Sequence, residues 1–356
     1  MSVTDRLDRL QRKYPPAGFP IAVLYKLFDD AGTYLAALIA HYAFVSLFPA
    51  LLLLSTILGF VLPGNPQLQQ QLIHSALGQF PVIGSQLGQP KHLGGGFGGL
   101  IIGSLGALYG GLGVAQALQY AMNTAWMVPR NRRPNPIKAR GRSLLILATM
   151  GLALLATTVL SSLGSSAAAF GADLGVGLRV LLTAVAVVVN AGVFVLGFRL
   201  ATSRDLTVRQ VAPGAVAAAV VWQLLQSFGG LYVGHVIKSA TATNGVFALV
   251  LGLLGFLYLA ALAVVVCTEI NVVRVDRLWP RALLTPFTDD VDLTPGDKGT
   301  YARAAKAQRT KGFENVDVDF DKHDQPASDS NPDQPSTTNG SPPDSAANGG
   351  RVDRGP

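Results

Sequence analysis

Acidic residues are scarce in most of this chain. Residues 1–285 hold 8 Asp and Glu against 20 Lys and Arg, a net of +12, whereas residues 286–356 hold 13 against 8, a net of −5. Charge of either sign makes up only 14% of the 356 residues, where soluble domains average roughly 25%. The single cysteine, Cys267, excludes an intrachain disulfide framework and a thiolate metal cluster, and reads as a small buried apolar side chain. Five histidines, His41, His74, His92, His235 and His323, are scattered without a His-x-His pair or a carboxylate cluster. No metal site, no cofactor and no catalytic residue is therefore expected, and the chain is not read as an enzyme. A Gly-x-x-x-x-Gly-Lys-Ser/Thr loop is missing too, which removes an ATP-driven engine.

What is abundant is apolar length. Hydrophobic residues reach 49% and mean hydropathy is +0.37. Six segments can cross a hydrocarbon core, which needs about 20 helical residues: 33–62, 97–127, 143–165, 178–200, 211–233 and 245–273. Their continuous apolarity, rather than a one-sided stripe, marks helices surrounded by lipid and by each other. The fold class expected is all-α, a polytopic six-helix membrane bundle occupying 33–280, with the lipid bilayer as its partner.

The loops orient it. Arg6, Arg9, Arg12, Lys13 and Lys26 precede span one; Arg130, Arg132, Arg133, Lys138, Arg140 and Arg142 follow span two; Arg199 at the end of span four is followed by Arg204 and Arg209; Arg274, Arg277 and Arg281 follow span six. The alternate loops carry only Lys91, none, and Lys238. By the positive-inside rule both termini lie in the cytoplasm. Arg179, near Asp173 at the outer end of span four, departs from the alternation and reads as a local ion pair or a snorkelling side chain. The basic loop Arg130 to Arg142 has no interleaved aromatics and topology explains it, so no nucleic-acid partner is expected.

No small-residue cleavage site follows a short hydrophobic region near the N-terminus, so span one is expected to be an uncleaved anchor. Residues 1–32 form a cytoplasmic amphipathic arm, with Leu7, Leu10 and Tyr14 at helical spacing and an apolar stretch from Phe19 to Phe28, both expected to lie on the membrane surface. Between Gln67 and Phe80 the outer loop carries a similar apolar face. Residues 286–356, acidic and rich in Ser, Asn, Pro and Gly, are expected to be a disordered cytoplasmic tail.

Polar residues inside the spans are the candidate functional set. Glu269 is the one acidic residue within or abutting the six segments, at a cost of a few kcal/mol unless paired, solvated or protonated. Span two carries Gly99, Gly103, Gly106 and Gly110, small-xxx-small pairs that let another helix approach closely, and then Gln116, Gln119 and Asn123 on one face. Span one carries His41, Ser46 and Pro49, the last expected to kink the helix and free a carbonyl. His41 is either a proton relay or a packing histidine. Asn190, Gln223, Gln226 and Asn271 complete the set, as interhelical glue or the lining of a polar path.

The run from Ala36 to Pro49, with its Ala40-His41-Tyr42-Ala43-Phe44 centre, the Pro213-Gly214 start of span five and the Glu269-x-Asn271 close of span six resemble the YihY/BrkB family of bacterial inner-membrane proteins. The resemblance covers roughly residues 20 to 280. Where the family commonly has Gly-Ala-Glu-Leu-Asn, this chain has Cys267-Thr268-Glu269-Ile270-Asn271, keeping the acid and the amide. The resemblance implies a multi-pass protein of the bacterial plasma membrane, described in the family as a transporter or a serum-resistance factor. Members have also carried a tRNA-processing ribonuclease label, a chemistry these residues do not support.

Three functions follow in order of expectation. The first is a secondary transporter or permease of a small solute, anionic in the sharper form, moving between spans one, two, five and six. The second is a non-transporting membrane scaffold or envelope- and virulence-associated factor, and the third a membrane ribonuclease. Homo-oligomerisation is open.

Overall fold

The computed structural model describes residues 18–61, 96–169, 176–236, 242–283, 285 and 291–320. Among them the regular structure is helical: α1 (Phe19–Asp29), α2 (Gly32–Val61), α3 (Gly96–Ala125), a single 3₁₀ turn (Arg130–Arg132), α4 (Pro136–Ala169), α5 (Val176–Ala201), α6 (Val208–Val236), α7 (Ala242–Asp276) and α8 (Pro295–Ala307). Among the described residues, five stretches are long and apolar enough to cross a membrane: Gly32–Leu53, Ile101–Ala125, Ala184–Ala201, Val208–Phe228 and Val250–Asp276. The expected third span falls within α4, whose 34 residues make a rod about 50 Å long.

From α2 to α7 each helix packs on its successor, and α7 closes the circuit against α2. From α3 to α7 the connections are only five to ten residues long, which favours antiparallel neighbours. Large apolar side chains such as Ile102, Leu152, Val188 and Leu251 stay exposed on the bundle surface, as a lipid-facing exterior requires. Among the described residues, the most extensive helix pairing is that of α2 with α3. A β-carbon on Gly110 would stand 2.6 Å from the Ser46 Cα, one on Gly106 2.7 Å from the Pro49 Cβ, and one on Gly103 3.0 Å from the Leu53 backbone nitrogen. The glycines are thus the groove into which the Ser46 to Leu53 ridge fits. The surroundings of Gly99 lie outside the described residues.

The segments that carry the basic residues gather at one end. Ser203 N donates to Asn123 Oδ1 at 2.8 Å, Arg142 reaches Thr202 O at 3.3 Å, and Arg204 forms a two-pronged pair with Asp276, both bonds 3.1 Å. Several of these cations are held by backbone carbonyls of the neighbouring segments: Arg133 donates to Val128 O just past the end of α3, Arg199 to Leu206 O before α6, and Arg274 to Arg209 O in the first turn of α6. Both α3 and α7 end through left-handed residues, Met127 at φ 49° and Arg277 at φ 54°. A Schellman bond follows each, Val128 N to Asn123 O at 2.9 Å and Leu278 N to Val273 O at 3.1 Å.

Two expectations are corrected. Helix α1 is not merely laid on a surface: Ala22, Val23, Lys26 and Leu27 are buried, with α7 its principal neighbour, while Leu24 and Phe28 remain exposed. Disorder from residue 286 onward does not hold for 291–320, where α8 starts on a Thr294–Asp297 capping box and Asp297 is buried against Arg281. Composition missed it because a few polar contacts to the bundle, not apolar area, hold this segment. The expectations for 1–17, for the 67–80 helix, for the Asp173–Arg179 pair and for the tail from 321 lie outside the described residues.

Candidate functional site

Glu269 lies about two turns before the end of α7 and is fully buried, as is Lys26 of α1. The Lys26 ammonium pairs with Asp30, donates to Ala125 O at 3.2 Å, and stands 3.7 Å from Glu269 Oε2. Neither Glu269 oxygen has a hydrogen-bond partner among the described residues. One cation therefore serves two carboxylates and the terminal carbonyl of α3. Burial pulls the Lys26 pKa down, but Glu269, Asp30 and Asp29 push it back above its ordinary value. Burial likewise raises the Asp30 pKa against the opposing pull of Lys26.

A second buried cation stands beside the first. Arg281 donates to Asp297 at 2.5 Å, to Asp29 at 2.9 Å and to the Tyr301 hydroxyl at 3.3 Å, between the rings of Tyr25 and Tyr301. Burial lowers its pKa, and the two carboxylates more than offset that. Asp297 also accepts from the backbone nitrogens of Ala282 and Thr294, both at 3.0 Å. The six charged groups, Lys26 and Arg281 against Asp29, Asp30, Glu269 and Asp297, fasten α1, the end of α7 and the start of α8 together.

Asn271 faces α6, not the cluster. Its Oδ1 accepts from Gly214 N at 2.8 Å and its Nδ2 donates to Val211 O at 3.0 Å. A β-carbon at Gly214 would fall 2.1 Å from Cys267 O. Pro213-Gly214 and Asn271, which look separate in the sequence, are two halves of one close helix contact.

The polar stripe of α3 opens elsewhere. A cleft of about 360 Å³ between α2, α3 and the 133–139 segment is lined by Tyr42, Gln116, Gln119, Tyr120, Asn123 and Arg133 among others. Gln119 is buried; its Nε2 donates to Ser143 Oγ at 2.7 Å while Oε1 has no partner. Asn123 is committed to Ser203 N and Gln119 O. Gln116 is exposed to the cleft. Arg133 sits over the Tyr120 ring at 5.5 Å, its pKa lowered by burial but still far into the cationic range.

Stripe and acid occupy different faces of α3. The Met122 and Ala125 side meets α7 and α1, with Thr268 Oγ1 donating to Met122 Sδ at 3.2 Å. The remaining candidates do not converge on either place. His41 is exposed, edge-on to Tyr42 at 5.7 Å. Ser46 bonds its own helix at Ala43 O, and Pro49 packs on Gly106. Asn190, Gln223 and Gln226 are half-buried on α5 and α6. Lys26, Asp30, Arg281 and Asp297 were not among the sequence candidates. The available signal was an Asp29-Asp30 pair after a lone lysine in an apolar run.

A family model described as "Virulence factor BrkB" matches residues 23–284. No curated protein and no solved structure matches the chain.

Proposed function

We propose that this chain, which belongs to the BrkB virulence-factor family, is a six-span plasma-membrane permease, both termini cytoplasmic, for a small anionic solute. One observation carries the proposal: the exposed amide of Gln116 and the unpartnered Oε1 of Gln119 line one accessible cleft, with the guanidinium of Arg133 beside them. A guanidinium over an aromatic ring, a free amide and a buried carbonyl oxygen lacking a donor together suit an anion that also carries a hydrogen-bond donor. Such a cleft at one end of a helix bundle is where an inward-facing binding site would lie. Gln116 is exposed, so Gln116→Leu should fold normally. In proteoliposomes supplied with candidate anions under pH and sodium gradients, it should cut flux by about tenfold or more, the loss of one or two good hydrogen bonds to the solute. Flux unaltered in Gln116→Leu removes the cleft from the path. Glu269 belongs to the coupling step in this scheme, and Glu269→Gln flux independent of the ion gradients supports it.

The second function, a scaffold that recruits partners, is favoured by the docked 291–320 segment, which presents Phe313 with 87% of its surface exposed. Phe313→Ser should then abolish partner capture and leave flux unchanged.

A further inference from the structure

A second, wider cleft at the basic end plays no part in the flux scheme. It encloses about 570 Å³ between the end of α3, the 3₁₀ turn, the 203–205 loop, the end of α7 and α8. Arg132, Arg204, Arg303 and Lys306 line it, against Asp205 and Asp276. Asp276 is taken up by two guanidiniums, Arg204 through both prongs and Arg303 at 2.7 Å. A guanidinium has five N–H donors, so each fork keeps spare ones. The Arg204 plane is also fixed over the buried Trp126 ring at 5.0 Å. The side chains of Arg132 and Lys306 have no ion pair or hydrogen bond among the described residues.

Orientation by the positive-inside rule accounts for cations at this end, but not for their convergence on one concavity. Arg133, Arg142, Arg199 and Arg274 are spent on backbone carbonyls. The four of the wide cleft are spent on one carboxylate or on none.

We propose that this cleft binds a phosphate-bearing anion. Four cations against two carboxylates leave the lining at +2, the complement of a phosphate monoester dianion. Planar forks match phosphate oxygens in pairs, and a lysine adds a point charge. The volume exceeds what a phosphate group fills, and Met127, Val128 and Pro129 give the remainder of the ligand an apolar wall. The cleft lies at the ends of two membrane-length helices, the depth of lipid headgroups, so the phosphodiester monoanion of a phospholipid and the dianion of a soluble phosphate monoester would both offer phosphate oxygens to its forks.

The test uses the purified full chain in phosphatidylcholine nanodiscs at constant ionic strength. One arm titrates inorganic phosphate and glycerol 3-phosphate by calorimetry. The other replaces part of the lipid with phosphatidylglycerol and follows the thermal midpoint. Arg132→Gln with Lys306→Gln, both exposed residues, should weaken binding by about tenfold or more, and Lys138→Gln with Arg140→Gln, equally exposed but outside the cleft, should stay within about twofold. Response to the soluble probes alone assigns a soluble ligand, and response to phosphatidylglycerol alone a lipid headgroup; either supports the site. Silence in both arms, or equal losses in the two double variants, overturns it.

Discussion

Lys26→Met and Glu269→Gln remove opposite ends of one buried contact and should cost very different amounts. The ammonium and Oε2 are 3.7 Å apart, a gross attraction of roughly 4–5 kcal/mol at an effective dielectric of about 20. Symmetry would make the two deletions equal, but the surroundings are not symmetric. Lys26 also holds Asp30 and the Ala125 carbonyl, so its loss strands two carboxylates and a backbone oxygen without water. Breaking a buried pair by removing one partner costs about 3–5 kcal/mol. Glu269 accepts no hydrogen bond, and with glutamine in its place Lys26 and Asp30 form a neutral pair free of a second negative charge. The lost attraction is then offset by the relieved desolvation and repulsion, leaving a change within about 1 kcal/mol. Urea unfolding of purified protein in detergent, followed by circular dichroism, measures both. A Lys26→Met variant as stable as wild type, or a Glu269→Gln variant that falls equally far, refutes this account. A folded Glu269→Gln variant also makes any flux defect attributable to chemistry.

The raised pKa of Asp30 means the native state binds a proton more readily than the unfolded chain, so its contribution to stability fades as pH climbs from the ordinary carboxylate range, about 4, through the raised value. Asp30→Asn should flatten that fall in unfolding midpoints measured across pH. Gly110→Ala meets the Ser46 backbone, whereas Gly192→Ala meets nothing within 4 Å; thermal unfolding should show about 1–3 kcal/mol lost in the first and little change in the second. Asn271→Leu strips partners from Gly214 N and Val211 O and should cost about 1–3 kcal/mol in the same assay. Deleting 321–356 should leave the melting temperature in place. Deleting 286–356 removes Asp297 from the buried Arg281 and should lower stability by about 3–5 kcal/mol.

Helix length and the α2–α3 approach were legible because both rest on local patterns: uninterrupted apolar runs, and glycines four residues apart. The gathering of basic segments at one end followed from charge alternation. What could not be read is which cations are buried. Topology counting treats Lys26 and Arg281 like any other basic flank, yet both are nearly inaccessible, each held by acids that include one far along the chain. The signature acid and amide, two residues apart in Glu269-x-Asn271, read as one polar feature. On a helix two residues differ by about 200°, which sends Glu269 toward α1 and Asn271 toward α6. The end of α7 through Arg277 was equally hidden, since the left-handed position there is held by arginine rather than the glycine that ordinarily announces it.

The buried ion cluster also imposes an order on biosynthesis. At about 5–20 residues per second, Lys26 leaves the ribosome roughly 10–50 s before Glu269, and Asp29 waits similarly for Arg281. For that interval the bundle lacks α7, the helix that closes the circuit on α2. Helix α1 must remain where water can hold its charges, and its docking is then a report that the last helix has been inserted. A chain arrested before residue 269 is therefore left with an open circuit and an unsatisfied lysine, a signature that membrane quality control could distinguish from the finished protein.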